Sequence, residues 1–162
     1  MNGTSRRVIL SFGGGVDSTV ICAAYLNQES FLNALEKIGK PITKEQLAVA
    51  LPGPLSCAMF ADPGSEYSHT YRNVEYARKH FESVGIELIT VRQETKGKEQ
   101  TIFEWLTDES RGSGILPLMP GSSHVCSNRF KGSVMQKKAK ELYGEDENIT
   151  WLKCPLAAAD AP

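Results

Sequence analysis

The segment at residues 7–19, RVILSFGGGVDST, most constrains what this chain can fold into. Its apolar run Val8, Ile9 and Leu10 predicts a short buried strand, three glycines follow, and a helix-compatible run begins at Asp17. A strand that turns through glycines into a helix aims backbone N–H groups and the positive end of the helix dipole at one point. The segment therefore predicts an anion site, and phosphate is the usual ligand of such a site.

The residue types around this turn suit phosphate. Glycine lets the backbone approach an anion closely and adopt dihedral angles closed to residues with a Cβ. Ser18 and Thr19 add hydroxyl donors, and we expect Asp17 or Ser18 to cap the helix. A Walker A loop is excluded because no Gly-Lys-[Ser/Thr] follows, and a Rossmann fingerprint fits poorly because Ser18 stands where its third small residue belongs. Another nucleotide-phosphate loop and a purely structural glycine turn remain as alternatives.

Residues 14–18, Gly-Gly-Val-Asp-Ser, resemble the pyrophosphate loop S-G-G-x-D-S of the PP-loop ATP pyrophosphatases. Gly13 stands where that family usually has serine, which removes one hydroxyl from the loop, although Ser11 is close by.

Two later segments indicate which branch of this superfamily the chain resembles. Residues 55–71, LSCAMFADPGSEYSHTY, are similar to the stretch F-x-D-T-G-x-E-x-x-x-T-Y of the phosphoadenosine-phosphosulfate (PAPS) reductase-like branch, with Pro63 in place of threonine. Residues 126–131, CSNRFK, resemble that branch's C-[ST]-x-x-[FL]-K signature. The three segments together extend from residue 7 to about residue 140.

The resemblance implies a PP-loop enzyme that cleaves ATP, or a PAPS-like adenine nucleotide, between the α- and β-phosphates with Mg²⁺ and so adenylates a substrate. Asp62 would contact the ribose or the metal ion, the backbone at Phe60 and Ala61 would recognise adenine, and Arg129 and Lys131 would be the cations on phosphate or on an anionic acceptor. The expected catalytic residues are Asp17, Ser18, Arg129 and Lys131. The expected nucleotide-binding residues are Ser11, Gly13, Gly14, Gly15, Asp17, Ser18, Thr19, Phe60, Ala61, Asp62 and Gly64, and no metal ion held by protein side chains alone is predicted.

Reduction of PAPS itself is disfavoured, because the family's reductases carry their cysteine in an E-C-G-[IL]-H tail and here Cys154 is followed by proline. Either that tail is absent or the chain is a fragment. We expect adenylation of an unidentified acceptor instead, in sulfur transfer, nucleic-acid modification or the activation of another small substrate. A non-catalytic nucleotide-binding module or sensor of a larger assembly is the alternative.

Composition agrees with one globular domain over residues 1–162. Charged residues make up 23% and apolar residues 41%, and the net charge of −1 indicates no overall basic field for nucleic acid. No apolar run approaches the ~20 residues of a membrane span. The start, MNGTSRRV, has no signal-peptide core, so we expect a cytoplasmic protein that does not bind membranes. A homodimer remains open.

The order of segments predicts an α/β fold: an open, mostly parallel five-stranded sheet with helices on both faces, Rossmann-like and of the PP-loop/HUP type. Expected strands are residues 8–12, 55–61, 86–91 and 149–154; expected helices are 17–27, 68–84, 101–109 and 127–143, with a loop at 111–125. Residues 28–54 either extend the first helix or form a helical insertion in which Thr43 caps a second short helix.

Side chains outside the motifs receive simpler interpretations. The four cysteines form no C-x-x-C pair, which disfavours a zinc ribbon, and we expect Cys22 and Cys57 to be buried. Tyr67, Tyr71 and Tyr76 have spacings compatible with packing in the core or at its rim.

Overall fold

The computed structural model describes residues 7–108, 127–145 and 148–152. The strands are β1 (Arg7–Ser11), β2 (Leu55–Asp62), β3 (Leu88–Arg92), β4 (Glu94–Thr95), β5 (Lys98–Glu99) and β6 (Ile149–Leu152). The helices are α1 (Val16–Leu26), α2 (Gln28–Lys37), α3 (Lys44–Ala50), α4 (Ser68–Ser83), α5 (Ile102–Thr107) and α6 (Ser133–Tyr143), and a π-helical turn over Asn128–Gly132 leads into α6.

Four strands form one parallel sheet in the order β3-β2-β1-β6. The α/β class and the parallel pairing are confirmed. A fifth strand in this sheet is not found among the described residues. The antiparallel hairpin β4–β5 was not predicted, although its turn at Lys96 and Gly97, both at positive φ, is typical of two-residue hairpins.

Alternation along the strands builds two apolar layers. Leu10, Ala58 and Phe60 point to one face, where they pack with α1 and α4 through residues such as Cys22 and Phe81. The opposite face carries Ile9, Cys57, Met59 and Ala61, which pack with Val134, Met135 and Ala139 of α6. Helices therefore cover both faces, as the alternation of strands and helices predicted.

Between α1 and β2 the chain forms separate helices rather than an extended first helix. Thr43 caps α3 as predicted: its hydroxyl accepts a hydrogen bond from the Gln46 N–H at 3.2 Å, and the Gln46 side chain accepts one from the Thr43 N–H at 2.8 Å. Among the described helices, none has the length and apolar character needed to span a bilayer.

Candidate functional site

The glycine corner, residues 11–18, joins the carboxyl end of β1 to the start of α1. Gly14 is buried with φ +71°, a backbone conformation that side chains with a Cβ rarely adopt. A Cβ built on it would lie 3.0 Å from Thr70 Cγ2 and 3.4 Å from Val74 Cγ2. Glycine is therefore required here by the packing of the corner against α4.

Gly13 and Gly15 differ from Gly14, since both are exposed and neither has a positive φ. A Cβ built on either would meet no atom of the described residues within 4 Å. These two glycines, rather than Gly14, border the open space in front of the corner.

Hydroxyl groups inside the corner hold the turn together. The Gly13 N–H donates to Ser18 Oγ at 3.2 Å, and the Ser18 hydroxyl donates to the Gly15 carbonyl at 3.1 Å. The Thr19 hydroxyl also donates to the Gly15 carbonyl, at 2.8 Å. Ser18 and Thr19 thus fix the shape of the loop in this structure.

The start of α1 has no side-chain cap, which corrects the expectation that Asp17 or Ser18 caps it. Gly15 occupies the N-cap position, and no side chain there accepts a hydrogen bond from the helix. The first-turn N–H groups consequently lack the partner that a capping side chain supplies. Asp17 is exposed in that first turn, where its negative charge interacts favourably with the helix dipole. The same charge would repel a phosphate unless a cation lay between them.

The aspartate corner, residues 62–71, lies at the carboxyl end of β2, beside the glycine corner. Asp62 Oδ1 accepts hydrogen bonds from the Gly64 N–H and the Tyr71 hydroxyl, both at 2.8 Å. Asp62 Oδ2 accepts from Nε and Nη2 of Arg92 at 3.0 Å and 2.9 Å. With a side chain only 2% exposed, Asp62 has both carboxylate oxygens occupied by protein donors.

These contacts set the protonation of the aspartate corner. Burial raises the pKa of Asp62, but the hydrogen bonds from Tyr71, Gly64 and Arg92, with the charge of Arg92, outweigh burial and hold the pKa below its usual value. Burial and the bond to Asp62 raise the pKa of Tyr71. At neutral pH the corner is an ionised carboxylate with a neutral tyrosine.

Arg92 was not predicted from the sequence. It ends β3 and lies opposite Asp62 in the parallel register, and its guanidinium also bonds Glu99 of β5 at 2.8 Å. The only available signal was a basic residue at a predicted strand end, because contact with an aspartate 30 residues earlier depends on the sheet register.

The turn at Gly64 is packed against the start of α5. A Cβ on Gly64, whose φ is +77°, would lie 2.3 Å from Thr101 Cγ2 and 2.8 Å from Thr101 Cβ. The Ile102 N–H donates to the Pro63 carbonyl at 2.8 Å. The residue before α4, Tyr67, occupies its N-cap position, and no side chain caps this helix.

Both predicted cations lie near the aspartate corner. Lys131 Nζ is 2.7 Å from Glu66 Oε1, in an ion pair that is partly buried. The Arg129 guanidinium lies over the Trp105 ring, 5.2 Å from its centroid, in a cation–π contact. The π-helical turn that carries them is fixed by Phe130, which is buried and packs edge-on against Trp105.

The remaining predicted residues lie in the strands. Phe60 is buried and meets Tyr71 edge-on with centroids 6.3 Å apart. Met59 of β2 pairs with Ser11, the last residue of β1, and Ala61 lies two residues further along β2. Because backbone groups alternate sides along a strand, the N–H and carbonyl of Ala61 point to the same side as those of Met59. They therefore point into the space beyond the end of β1. The Ser11 hydroxyl contacts Met135 Sδ at 3.6 Å, on the α6 side of the sheet.

The first two turns of α4 join the two corners. Thr70 and Val74 contact Gly14, and the Asn73 amide donates to the Gly14 carbonyl at 3.1 Å. From the same helix Tyr71 reaches Asp62. The structure therefore brings together the predicted residues of the first two motifs, while Arg129 and Lys131 contact side chains near the aspartate corner rather than the glycine turn.

A cavity of about 690 Å³ lies between β3 and α6, on the side of Arg92. Its lining is polar, with Arg92, Lys137 and Lys138 opposed by Glu94, Glu99 and Glu141. None of the glycine-corner residues lines it, so this cavity does not mark the predicted phosphate site.

The described cysteines do not take part in either corner. Cys22 and Cys57 are buried, as predicted, and burial raises the pKa of Cys22 to about 11 and also raises that of Cys57. Cys126, Cys154 and the predicted loop at 111–125 lie outside the described residues. Within those residues no group of three His, Cys, Asp or Glu side chains has the geometry to hold a metal ion.

In comparisons with known proteins, no protein-family model, no curated protein and no solved structure matches this chain.

Proposed function

We propose that this chain binds an adenine nucleotide at the glycine corner and cleaves ATP between its α- and β-phosphates to adenylate an acceptor. The observation that carries the proposal is the geometry of that corner. One glycine is turned inward against α4 while Gly13 and Gly15 face open space, at the start of a helix without a side-chain cap. Such an arrangement presents N–H groups to an anion.

The fit to a nucleotide is strongest for its phosphates. Backbone N–H groups of Gly15 and the first turn of α1 would donate to the β- and γ-phosphates. Ser18, which already bonds the Gly13 N–H, would exchange that contact for a phosphate oxygen. Bound Mg²⁺ would neutralise phosphate charge, and it would also offset the repulsion between Asp17 and the phosphates.

The backbone at Phe60 and Ala61 supports the adenine assignment. Ala61 directs its backbone N–H and carbonyl beyond the end of β1, where a base could accept and donate one hydrogen bond each. Asp62 fits a direct role less well, because four protein donors occupy its two oxygens. We assign it to holding the adenine-binding strand and α4 in place.

The saturation of the aspartate corner favours a second candidate, a non-catalytic nucleotide-binding module. Lys131 is neutralised by Glu66, and Arg129 covers Trp105. Both cations would have to leave these contacts to reach a phosphate. The five-stranded PP-loop form of the sheet, the cytoplasmic location and a homodimer remain predictions alongside either candidate.

The products of ATP distinguish the two candidates. The protein is incubated with ATP, Mg²⁺ and acceptor mixtures, and nucleotides are separated by chromatography while pyrophosphate is assayed. The enzyme hypothesis expects AMP or an adenylated product with pyrophosphate. Binding of ATP in calorimetry without turnover supports the module. ADP with free phosphate contradicts the proposed bond cleavage, and absence of ATP binding contradicts both candidates.

A further inference from the structure

The solvent-facing side of α4 carries a set of side chains that lie outside the apolar core. At 100° per residue, seven residues share an arc about 120° wide on the exposed side of α4, beside the buried Thr70, Val74, Ala77 and Phe81. They are His69, Arg72, Asn73, Tyr76, Lys79, His80 and Ser83, all exposed. We call this arc the α4 face. The expected packing of Tyr67 and Tyr76 in the core or at its rim is wrong, since they are 75% and 68% exposed.

Rings on and beside the α4 face stand in solvent as pairs. Tyr67, 75% exposed just before α4, stacks on His69 with an interplanar angle of 12° and centroids 5.4 Å apart. Tyr76 meets His80 edge-on with centroids 4.4 Å apart. The two exposed ring pairs are centred nearly three helical turns apart, and flat exposed rings are surfaces on which bases stack.

Charge on the α4 face has one sign. Arg72 and Lys79 are cationic, and none of the seven residues is acidic. The exposed Glu75 and Glu82 lie on the neighbouring arc of the helix. Glu75, which borders the face, lies 3.4 Å from Arg78 in an ion pair. A whole-chain net charge of −1 conceals this local pattern, which favours a polyanion with stackable rings over an acidic peptide.

The α4 face adjoins the glycine corner. Asn73 lies within the face and donates its amide hydrogen bond to the Gly14 carbonyl at 3.1 Å. A chain molecule lying along the face would therefore pass the glycine corner, where the proposed function places the reacting phosphate.

We infer that the α4 face binds single-stranded nucleic acid, with Arg72 and Lys79 on its phosphates and the Tyr67–His69 and Tyr76–His80 pairs under its bases. Binding at the α4 face is inferred from the exposure, ring contacts and charge of that face and does not depend on the proposed function. The further step, that the acceptor for adenylation is a nucleic acid, rests on the proposed function.

Binding is tested by fluorescence anisotropy with fluorescein-labelled oligouridylate and oligothymidylate 20-mers over a range of salt concentrations. Tyr76→Ala is expected to weaken binding about tenfold through lost stacking, and Tyr76→Phe to retain most of the affinity. Arg72→Ala with Lys79→Ala is expected to reduce the slope of log affinity against log salt by about 1.4, as two phosphate contacts on a single strand would. All these side chains are exposed, and circular dichroism checks that the variants fold.

A matched pair of charge removals, Lys37→Ala with Lys44→Ala on α2 and α3, controls for net charge and should leave affinity and slope unchanged. The inference is overturned if the wild type does not bind the oligonucleotides, if the control pair lowers the slope equally, or if duplex DNA of the same length binds as tightly as the single strand. Capture by phosphatidylserine vesicles with no oligonucleotide binding would also overturn it.

The same protein samples separate this inference from the proposed function. ATP binding without oligonucleotide binding removes the inference and leaves the function. Oligonucleotide binding that persists when neither wild type nor any glycine-corner variant binds ATP supports the surface and removes the adenylation step.

Discussion

The glycine corner and the aspartate corner are built from the same order of elements: a parallel strand, a turn with one glycine near φ +75°, and a helix without a side-chain cap. They differ in what fills the turn. The aspartate corner binds its own donors, so that four hydrogen bonds converge on Asp62 and Gly64 packs against Thr101. The glycine corner packs only Gly14 inward and leaves Gly13 and Gly15 facing solvent.

This difference indicates a division of labour. A corner whose polar groups are satisfied internally contributes rigidity, whereas a corner that exposes N–H groups contributes binding. Because α4 contacts both, the rigid corner fixes the position of the open one.

Gly64→Ala should be the most damaging single change. The new Cβ would overlap Thr101 at 2.3 Å and occupy a backbone at φ +77°, so we expect the free energy of unfolding to fall by about 2–5 kcal/mol. Urea denaturation measures it. Gly97→Ala is the matched control, since Gly97 has φ +75° and meets no described atom within 4 Å; an equal loss at both glycines would show that the aspartate corner is not tightly packed.

Asp62→Asn should lower the free energy of unfolding by about 2–3 kcal/mol at pH 7, because an amide group would face the Arg92 guanidinium in place of a carboxylate oxygen. Arg92 is 47% exposed, so solvent screens part of the ion pair and the effect stays below that of a fully buried one. Chemical denaturation of wild type and variant gives the difference. A change under 0.5 kcal/mol, the range of ordinary surface substitutions, would contradict the role given to the aspartate corner.

The pH dependence has a defined sign. The folded-state pKa of Asp62 lies below the unfolded value of 3.8, so its contribution is fully present above that value and is lost as the pH falls towards the folded-state pKa. The wild-type advantage over Asp62→Asn should therefore be constant from pH 5 to 7 and shrink below about pH 3.8. An advantage that grew on acidification would contradict the sign.

Arg129→Ala tests whether a cation near the aspartate corner contributes to nucleotide binding at the glycine corner. A guanidinium bonded to phosphate contributes about 1.5–3 kcal/mol, so ATP or acceptor affinity should fall about ten- to a hundredfold, and Arg129→Lys should recover only part of it. Calorimetry measures the affinity. Lys137, Lys138 and Lys140, further along α6, should each matter little when changed to alanine. If affinity is unchanged, Arg129 only covers Trp105; equal losses at all these positions would indicate a diffuse electrostatic surface.

The sequence was sufficient for the layout of the two corners. Apolar runs at 8–10 and 55–61 predicted the strands, and parallel pairing then placed both turns at one sheet edge. The sequence was not sufficient to predict which residues contact one another within each corner. Three consecutive glycines carry no signal for which one has positive φ, and that depends on Thr70 and Val74 packing from α4.

Long-range partners were likewise hidden. Arg92 meets Asp62 only because β3 pairs with β2 in one particular register, and Lys131 meets Glu66 across 65 residues. Tyr76 was expected to pack in the core or at its rim because tyrosine side chains are usually at least partly buried. Only the position of the buried Thr70, Val74, Ala77 and Phe81 shows that Tyr76 faces solvent.

Gly13→Ala and Gly14→Ala should have opposite effects. A Cβ on Gly14 would lie 3.0 Å from Thr70 Cγ2, inside the protein, rather than in the space an anion would occupy. Gly14→Ala should therefore lower stability by about 1–3 kcal/mol. Gly13→Ala should keep or slightly raise stability and weaken ATP binding about tenfold, since its Cβ enters the open space.

Urea denaturation and calorimetry on both glycine variants measure these effects. Undiminished ATP affinity in Gly13→Ala would remove the phosphate site from the glycine corner. A Gly14→Ala protein as stable as wild type would show that the inward packing of this corner is unimportant.

Glu99→Gln should have the smallest effect and separates the two carboxylates that share Arg92. Its carboxylate lies 2.8 Å from Nη1, as close as Asp62 is to the same guanidinium, but its side chain is 62% exposed. Exposed ion pairs contribute ~0–1 kcal/mol and weaken with salt, so the free energy of unfolding should change by less than about 1 kcal/mol. Raising the salt concentration should remove most of that change in urea denaturation and leave the larger Asp62→Asn effect nearly intact. Equal losses for the two variants would mean that burial does not distinguish them, and the rigidity assigned to the aspartate corner would then have to come from Gly64 and Thr101 alone.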